Sequence, residues 1–389
     1  MMRTVLQRTF FAAATVAVLL AAGLWVGGCG EKIMVPEPKG LFSVDAYILD
    51  AEFADASALQ IASGQSSLFV LSDTALTKRD LNYGVIKSVD GLLGPAALCV
   101  DGSGELVFVF ERDLDRVSWY ATSDLSLLGF SDIPEVEAVV AMATNTVGIE
   151  AEPGARTFLY LSDPDAGVIH RYAFDDFNGL APYGILARSD GDAARFVHVP
   201  AGLATDSEDS LLVCDADPAR NWVIRFVGEP DLDDVTPQTD DQDPWRGHAA
   251  LFHDPTCVPP AAADYVIGDA ATCGQTDWVG APSDAEGAFS SPRDVTVDGS
   301  GRIFVADTGN DRVQVFLPDG LYDLSFGDAE DLPAPESLAV VDIRIGGGTG
   351  DVDYAAYVYL VLPDIGQVRR FISSEYYIYL NQEPPPPPN

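Results

Sequence analysis

Basic residues are scarce in this chain. Only 22 Lys and Arg stand against 60 Asp and Glu, a formal net charge of −38. Nucleic acid demands a basic footprint, so that balance excludes it as a partner, and it disfavours electrostatic docking on anionic lipid. Acidity on this scale keeps an exported chain soluble and self-repelling. Histidine is scarcer still, with His170, His198, His248 and His253 making up the whole set. His248 and His253 have the spacing of half a zinc motif. No CxxC pair accompanies them, and a structural zinc site has no support. The chain also lacks a G-x-S-x-G elbow, a P-loop and a G-x-G-x-x-G between strand and helix. Gly346–Gly350 reads as a flexible turn.

Short apolar strand patterns are what the chain holds in quantity, with 47% hydrophobic residues and 10% aromatics. The clearest lies in SPRDVTVDGSGRIFVADTGNDRVQVFLPDG, Ser291 to Gly320. Three β-branched runs, Val295–Val297, Ile303–Ala306 and Val313–Phe316, are separated there by DGSG and DTGND. Gly, Asp and Asn tolerate positive φ, so this alternation spells an antiparallel meander. Weaker copies recur. A second strand followed by an acid appears as SLFVLSD (67–73), ELVFVFE (105–111), TFLYLSD (157–163), SLLVCDAD (210–217) and RIFVAD (302–307), while YVYLVL (357–362) lacks the acid. The aromatic ending the third strand recurs as Tyr120, Tyr172, Phe226, Phe316 and Phe371, and an inner strand precedes each copy. A fixed internal period marks repeat architecture, and radial closure protects sheet edges.

The stretch from Ser291 to Gly320 closely resembles an NHL repeat, each copy of which is one blade of a β-propeller. The resemblance implies an all-β fold: a six-bladed β-propeller of four-stranded antiparallel blades over residues 44–380. Asp73, Glu111, Asp163, Asp215 and Asp307 share one repeat position. They read as structural acids, each bonding the backbone of the turn that follows, and Arg116 and Arg312 stand at matched third-strand positions to pair with them or to cover blade edges. Some propellers of this type are enzymes. A divalent-cation-dependent hydrolase or lyase using the central channel needs carboxylates and Asn converging on the axis. The inner strands here offer mainly Ala, Val, Leu and Thr, and only His198 falls where it could face the channel. The expectation is a monomeric binding or scaffolding module for protein or glycan partners, with loops that vary on a rigid frame. Two segments compete to close blade six, Val44–Leu49 and Tyr376–Leu380. The spacing from Phe371 to Tyr376 repeats that from Phe316 to Leu321, which favours the C-terminal segment, with Val44–Leu49 as a further edge beside it.

One interval breaks the period, between Phe226 and Phe316. The extra residues form an inserted loop at 228–275, between the third and fourth strands of blade four, with Trp278–Val279 in its outermost strand. Asp231, Asp233, Asp234, Asp240, Asp241 and Asp243 crowd this loop densely enough to attract calcium, without EF-hand spacing. Cys257 and Cys273 can staple it in an oxidising compartment, with a benefit of roughly 3 kcal/mol. Cys99 and Cys214 read as small buried hydrophobes.

The first 28 residues read as a targeting segment, with Arg3 and Arg8 ahead of an apolar stretch from Phe10 to Val26. Val26-Gly27-Gly28-Cys29 resembles a bacterial lipobox, which implies a signal peptide at 1–28 and lipidation of Cys29. The membrane partner is then the anchor itself, and Gly30 after Cys29 points to the outer membrane. Residues 29–43 form a tether, and the Pro-rich tail 381–389 is an extended spacer.

Overall fold

The computed structural model describes residues 47–377 apart from 65, 137, 148–155, 176, 187–196, 208–209, 219–220, 228–247, 251–264, 268–281, 346–351 and 375. The described chain opens with strand β1 (Tyr47–Ala54) and then winds six sheets in sequence order. Blade one is β2 (Ala58–Ser63), β3 (Leu68–Ser72), β4 (Ala75–Arg79) and β5 (Val85–Asp90). Blade two is β6 (Pro95–Val100), β7 (Leu106–Glu111), β8 (Arg116–Ala121) and β9 (Leu127–Asp132). Blade three is β10 (Ala141–Val147), β11 (Arg156–Asp163), β12 (Val168–Asp175) and β13 (Gly179–Leu186). Blade four begins with β14 (Pro200–Thr205), β15 (Leu211–Asp215) and β16 (Trp222–Val227), and the short β17 (His248–Ala250) and β18 (Tyr265–Ile267) both pair with β16. Blade five is β19 (Pro292–Val297), β20 (Ile303–Asp307), β21 (Arg312–Phe316) and β22 (Tyr322–Phe326). Blade six contains β23 (Ser337–Ile345), β24 (Val352–Leu362) and β25 (Gln367–Ser373), with β1 at its outer edge. Every pairing is antiparallel, and neighbouring innermost strands touch all the way round, β23 meeting β2. This is a six-bladed, all-β propeller.

Turn chemistry fixes the meanders. Three of the second-to-third turns are single 3-10 turns, and they end on Asp115 (φ 47°), Asp311 (φ 53°) and Gly366 (φ 61°). That left-handed conformation is open to Gly and tolerated by Asp. Between blades lie dry cores of apolar side chains. Blades four and five share Val223, Phe289, Val295, Val305 and Phe316, and blades five and six share Phe304, Val313, Val340, Val358 and Phe371. Each buried side chain of this size contributes about 1.5–3 kcal/mol.

The ring closes differently from the sequence expectation. The outer strand of blade six is β1, not Tyr376–Leu380, and its register runs from Tyr47 opposite Ser373 to Ala54 opposite Gln367. Charge explains the choice, because β25 presents Arg369 and Arg370 to its neighbour. Glu52 meets Arg369 at 3.2 Å, and Asp50 Oδ2 accepts from Arg370 Nε at 2.7 Å. The sequence YYIYL at 376–380 carries no acid. Tyr376 instead packs edge-on against Tyr357, with ring centroids 5.4 Å apart.

Blade four departs too. The residues filling its outer position, β17 and β18, come from inside the expected insertion, so residues 228–275 are not merely a loop. A third strand as long as β16 leaves its backbone groups open, and two short segments cover them in tandem. Trp278–Val279, Cys257, Cys273 and the six aspartates from Asp231 to Asp243 lie outside the described residues, as does Cys29.

Candidate functional site: the central channel and its two faces

The innermost strands of all six blades wall a central channel of about 780 Å³. Its two mouths differ in origin. First-to-second and third-to-fourth turns open on one face, from which β16 runs into the insertion. Second-to-third turns and blade connections form the other, here called the connection face.

Apolar residues are the more numerous in the wall, although more of its surface is polar, and several of its polar side chains tie blades together. Gln60 of blade one accepts from the Leu98 N–H of blade two (2.9 Å) and donates to the Val140 carbonyl ahead of blade three. Thr205 of blade four donates to the Thr144 carbonyl of blade three at 2.6 Å. Asp294 of blade five accepts from its own strand at Val295 N–H (2.9 Å) and from Leu338 N–H of blade six (2.8 Å). Burial pushes the Asp294 carboxyl up to about 7 despite these donors. Gly202 of blade four allows the approach, since a Cβ there would stand 2.4 Å from the Asp294 Cα. Among the described residues, no three His, Cys, Asp or Glu side chains come together as a metal site.

The repeat acids prove to be clasps between a strand end and a blade connection. Asp307, with no exposed side-chain surface, accepts from Ser290 N–H (2.7 Å), Asn310 (2.8 Å), Arg312 Nε (2.8 Å) and Gln314 (3.0 Å). Burial raises its carboxyl above the usual range even so. Glu111 accepts from Leu93 N–H (3.1 Å) and Ser118 Oγ (2.8 Å). Asp215 takes His198 N–H and Val199 N–H, each at 3.0 Å, together with Asp217 N–H at 3.2 Å. These acids therefore bond the segment leading into the innermost strand, and Asp215 bonds the backbone of the following turn as well, as expected. Asp163 bonds the following turn as expected, through Ala166 N–H (3.0 Å), and also faces His170 on the third strand.

Asp73 does not share their position. Leu71 stands opposite Leu76, so blade one turns on two residues, and Ser72 occupies the place that Glu111 and Asp307 hold elsewhere. Asp73 lies one residue beyond, exposed at the channel rim. Of the two roles expected for the arginines, Arg116 takes the blade edge. It pairs with Asp132 at 2.9 Å and lies over Phe130, whereas Arg312 does pair with Asp307.

His198 is held beside the channel wall rather than in it, its Nδ1 2.9 Å from Asp217 Oδ2. His170 sits on β12, 3.7 Å from Asp163, where burial lowers its pKa. Cys99 and Cys214 are buried free thiols.

The outer edges of blades one to three carry a feature that the repeat pattern did not disclose. β5 and β9 each contain a bulge, between Arg79/Lys78 and Val85/Lys87 in one and between Tyr120/Trp119 and Leu127/Gly129 in the other. A bulge re-aims side chains, and Val85, Ile86, Leu127 and Leu128 are each more than half exposed. Phe130 is 49% exposed, and Phe177, in the third-to-fourth turn of blade three, is 96% exposed. The matching bulge in blade five, between Val315 and Phe316, carries Asp323 instead.

Residues 289–316, most of blade five, match the family model of the NHL repeat. The chain is an NHL-like β-propeller. Among solved structures, the β-propeller domain of Cps50 (Swd1) from Myceliophteria thermophila matches this propeller at 9% identity with a TM-score of 0.50, covering 84% of this chain and 99% of that one. A streptogramin B lyase matches at 10% identity and a TM-score of 0.45, covering 84% of this chain and 98% of that one. A chain of a nidogen/laminin complex matches at 15% and 0.45, covering 73% and 85%. At these identities the likeness extends to the fold. The comparison with curated proteins finds no relative of the NHL-like propeller.

Proposed function

We propose that this propeller is a binding module of a bacterial cell envelope, anchored through lipid at Cys29 in the outer membrane and engaging a protein partner. One observation carries the reading: large apolar side chains stand exposed on the outer edges of three consecutive blades, on strand ends that meet the same face. Exposed apolar patches on soluble folds mark interaction surfaces. The two bulges matter most, because they turn consecutive residues outward where the homologous bulge of blade five turns out an acid. Apolar contact of this kind suits a protein better than a glycan. The high negative charge works against wrong partners by like-charge repulsion.

The test pairs two variants. Leu127→Ser with Leu128→Ser and Phe130→Ser removes the patch on blade two without touching an inner strand. It is expected to keep the melting temperature within a few degrees and to lose a discrete partner cross-linked to the wild-type protein in intact envelopes. Cys29→Ser is expected to remain unprocessed or leave the membrane fraction. Partner cross-linking that persists in the triple variant would overturn the surface, and unchanged membrane association of Cys29→Ser would overturn the anchor.

A further inference from the structure

Charge on this protein is strongly one-sided, and that makes two of its arginines conspicuous. Arg79, Arg116, Arg225, Arg302, Arg312, Arg369 and Arg370 each meet a carboxylate. Arg171 lies over the Tyr183 ring, 4.5 Å from its centroid. Among the arginines whose side chains are described, Arg112 and Arg293 are the two whose guanidinium meets neither a carboxylate nor a ring, in a chain with 60 acids. Both line the central channel at its connection-face mouth.

The fold sets both residues there by local geometry. Arg112 opens the 3-10 turn after β7, its N–H bonded to the Gly94 carbonyl at 2.9 Å. Arg293 is the extra residue of a bulge in β19, between the Pro292–Asp307 and Asp294–Ala306 pairs. The corresponding bulge residues of blades one and two are Leu59 and Ala96, which also line the channel. Blades two and five face each other across a six-membered ring, so the two guanidiniums flank the mouth from opposite sides. On the arc between them, through blades one and six, stand Asp73 and Glu336, exposed and lining the same mouth. Leu59 and Ala96 therefore stand at the rim level of Arg293, and two residues further along the innermost strands the lining includes Ile61, Leu98 and Val295.

We propose that this mouth binds a short apolar peptide by its free termini, with the carboxylate taken by Arg112 and Arg293 and the ammonium by Asp73 and Glu336. A guanidinium fork matches a carboxylate in a bidentate manner. Charges rimming a low-dielectric channel focus the field on a ligand of complementary sign. A simple anion would satisfy the arginines but face the two acids, whereas a zwitterion answers all four groups. The cavity volume lies within the range of about 300–1,000 Å³ that small-ligand pockets occupy. This site lies on the face opposite the rim that bears the apolar patch and does not depend on it.

The probe is tri-alanine, titrated calorimetrically into the full chain in detergent beside its C-terminal amide, its N-acetyl form and inorganic phosphate. The free tripeptide is expected to bind. The amide, Arg112→Gln and Arg293→Gln are each expected to weaken binding about tenfold or more, as loss of a charge-assisted bond does. N-acetylation should weaken it as well, and Asp73→Asn with Glu336→Gln should erase the difference between free and acetylated peptide. All four positions are exposed, so unchanged melting of the variants would confirm that folding is intact. Absence of tri-alanine binding, equal binding of acid and amide, full affinity in either arginine variant, or tighter binding of phosphate than of tri-alanine would each overturn the proposal. Failure of the partner surface would show separately, in the triple variant at Leu127, Leu128 and Phe130.

Discussion

Blade five and blade six share a fold and a core but are specified in opposite ways. Blade five is written in one run from Pro292 to Phe326, and each of its strands pairs with its sequence neighbour. Blade six draws its fourth strand from the other end of the chain, with Tyr47–Ala54 laid against Gln367–Ser373. In the first case turn chemistry decides the structure: Asp298 and Asp311 hold the bends, and Asp307 locks the strand end to the incoming segment. In the second, side-chain charge and aromatic packing decide it. Tyr47 stacks near Phe326 with centroids 4.7 Å apart and meets Phe304 edge-on at 5.7 Å, so the closing strand also covers blade five. Local meanders form from adjacent residues, but closure pays for a loop as long as the domain.

The severest way to break the comparison is to remove the closing strand. Deleting residues 47–54 strips the outer edge from β25, leaves Arg369 and Arg370 without Glu52 and Asp50, and uncovers Phe304 and Phe326. The expected outcome is loss of cooperative unfolding, with the exposed edge driving aggregation. Circular dichroism melts and light scattering read both. A truncated chain that melts like the intact one would mean that 376–380 can take the strand's place.

The second break acts inside blade five. Asp307→Ala removes one acceptor from four donors and leaves Arg312 partly buried without its counter-charge. Breaking a buried pair from one side costs about 3–5 kcal/mol. Ser72→Ala, at the same repeat position in blade one, removes a single 3.2 Å bond to the Ala75 carbonyl, worth about 1 kcal/mol. Urea titration of the two variants should therefore rank them clearly. Equal losses would deny that the acid position stabilises blade five more than blade one.

Much of this was legible in the sequence because it is local. The innermost strands announce themselves as short apolar runs ahead of each repeat copy, and the second-to-third turns by Asp, Asn and Gly at the left-handed positions. What misled was register and distance. Asp73 looks like Glu111 in a string, yet a turn two residues shorter moves it off the strand and onto the channel rim. Tyr376–Leu380 has the composition of a strand, and only the acids of β1 opposite Arg369 and Arg370 separate the two candidates. The outer edge of blade four came from within an apparent insertion, since three-residue strands are too short to show a period. The channel mouth was hidden for another reason. Arg112 and Arg293 come from unlike positions, a turn and a bulge, and only the closed ring brings them to one rim.

The mildest test sharpens the seam between the two blades compared. Asp294 of blade five holds the Leu338 N–H of blade six, and burial has raised its carboxyl from the ordinary aspartate range to about 7. Between those two values the folded protein carries a proton that the unfolded chain has already lost. Stability therefore falls as pH rises from about 4 toward 7 and levels off above it. Asp307, raised in the same direction, adds to that slope. Asp294→Asn keeps an acceptor for one backbone N–H but cannot titrate. Its unfolding free energy should depend on pH less steeply than the wild type by up to about one proton across this window. The variant should thus look worst relative to the wild type at pH 5 and compare best at pH 8. Urea titrations at those two values decide it: a difference between the proteins that is the same at both would mean that Asp294 stays ionised in the seam and that the two blades are joined there by charge.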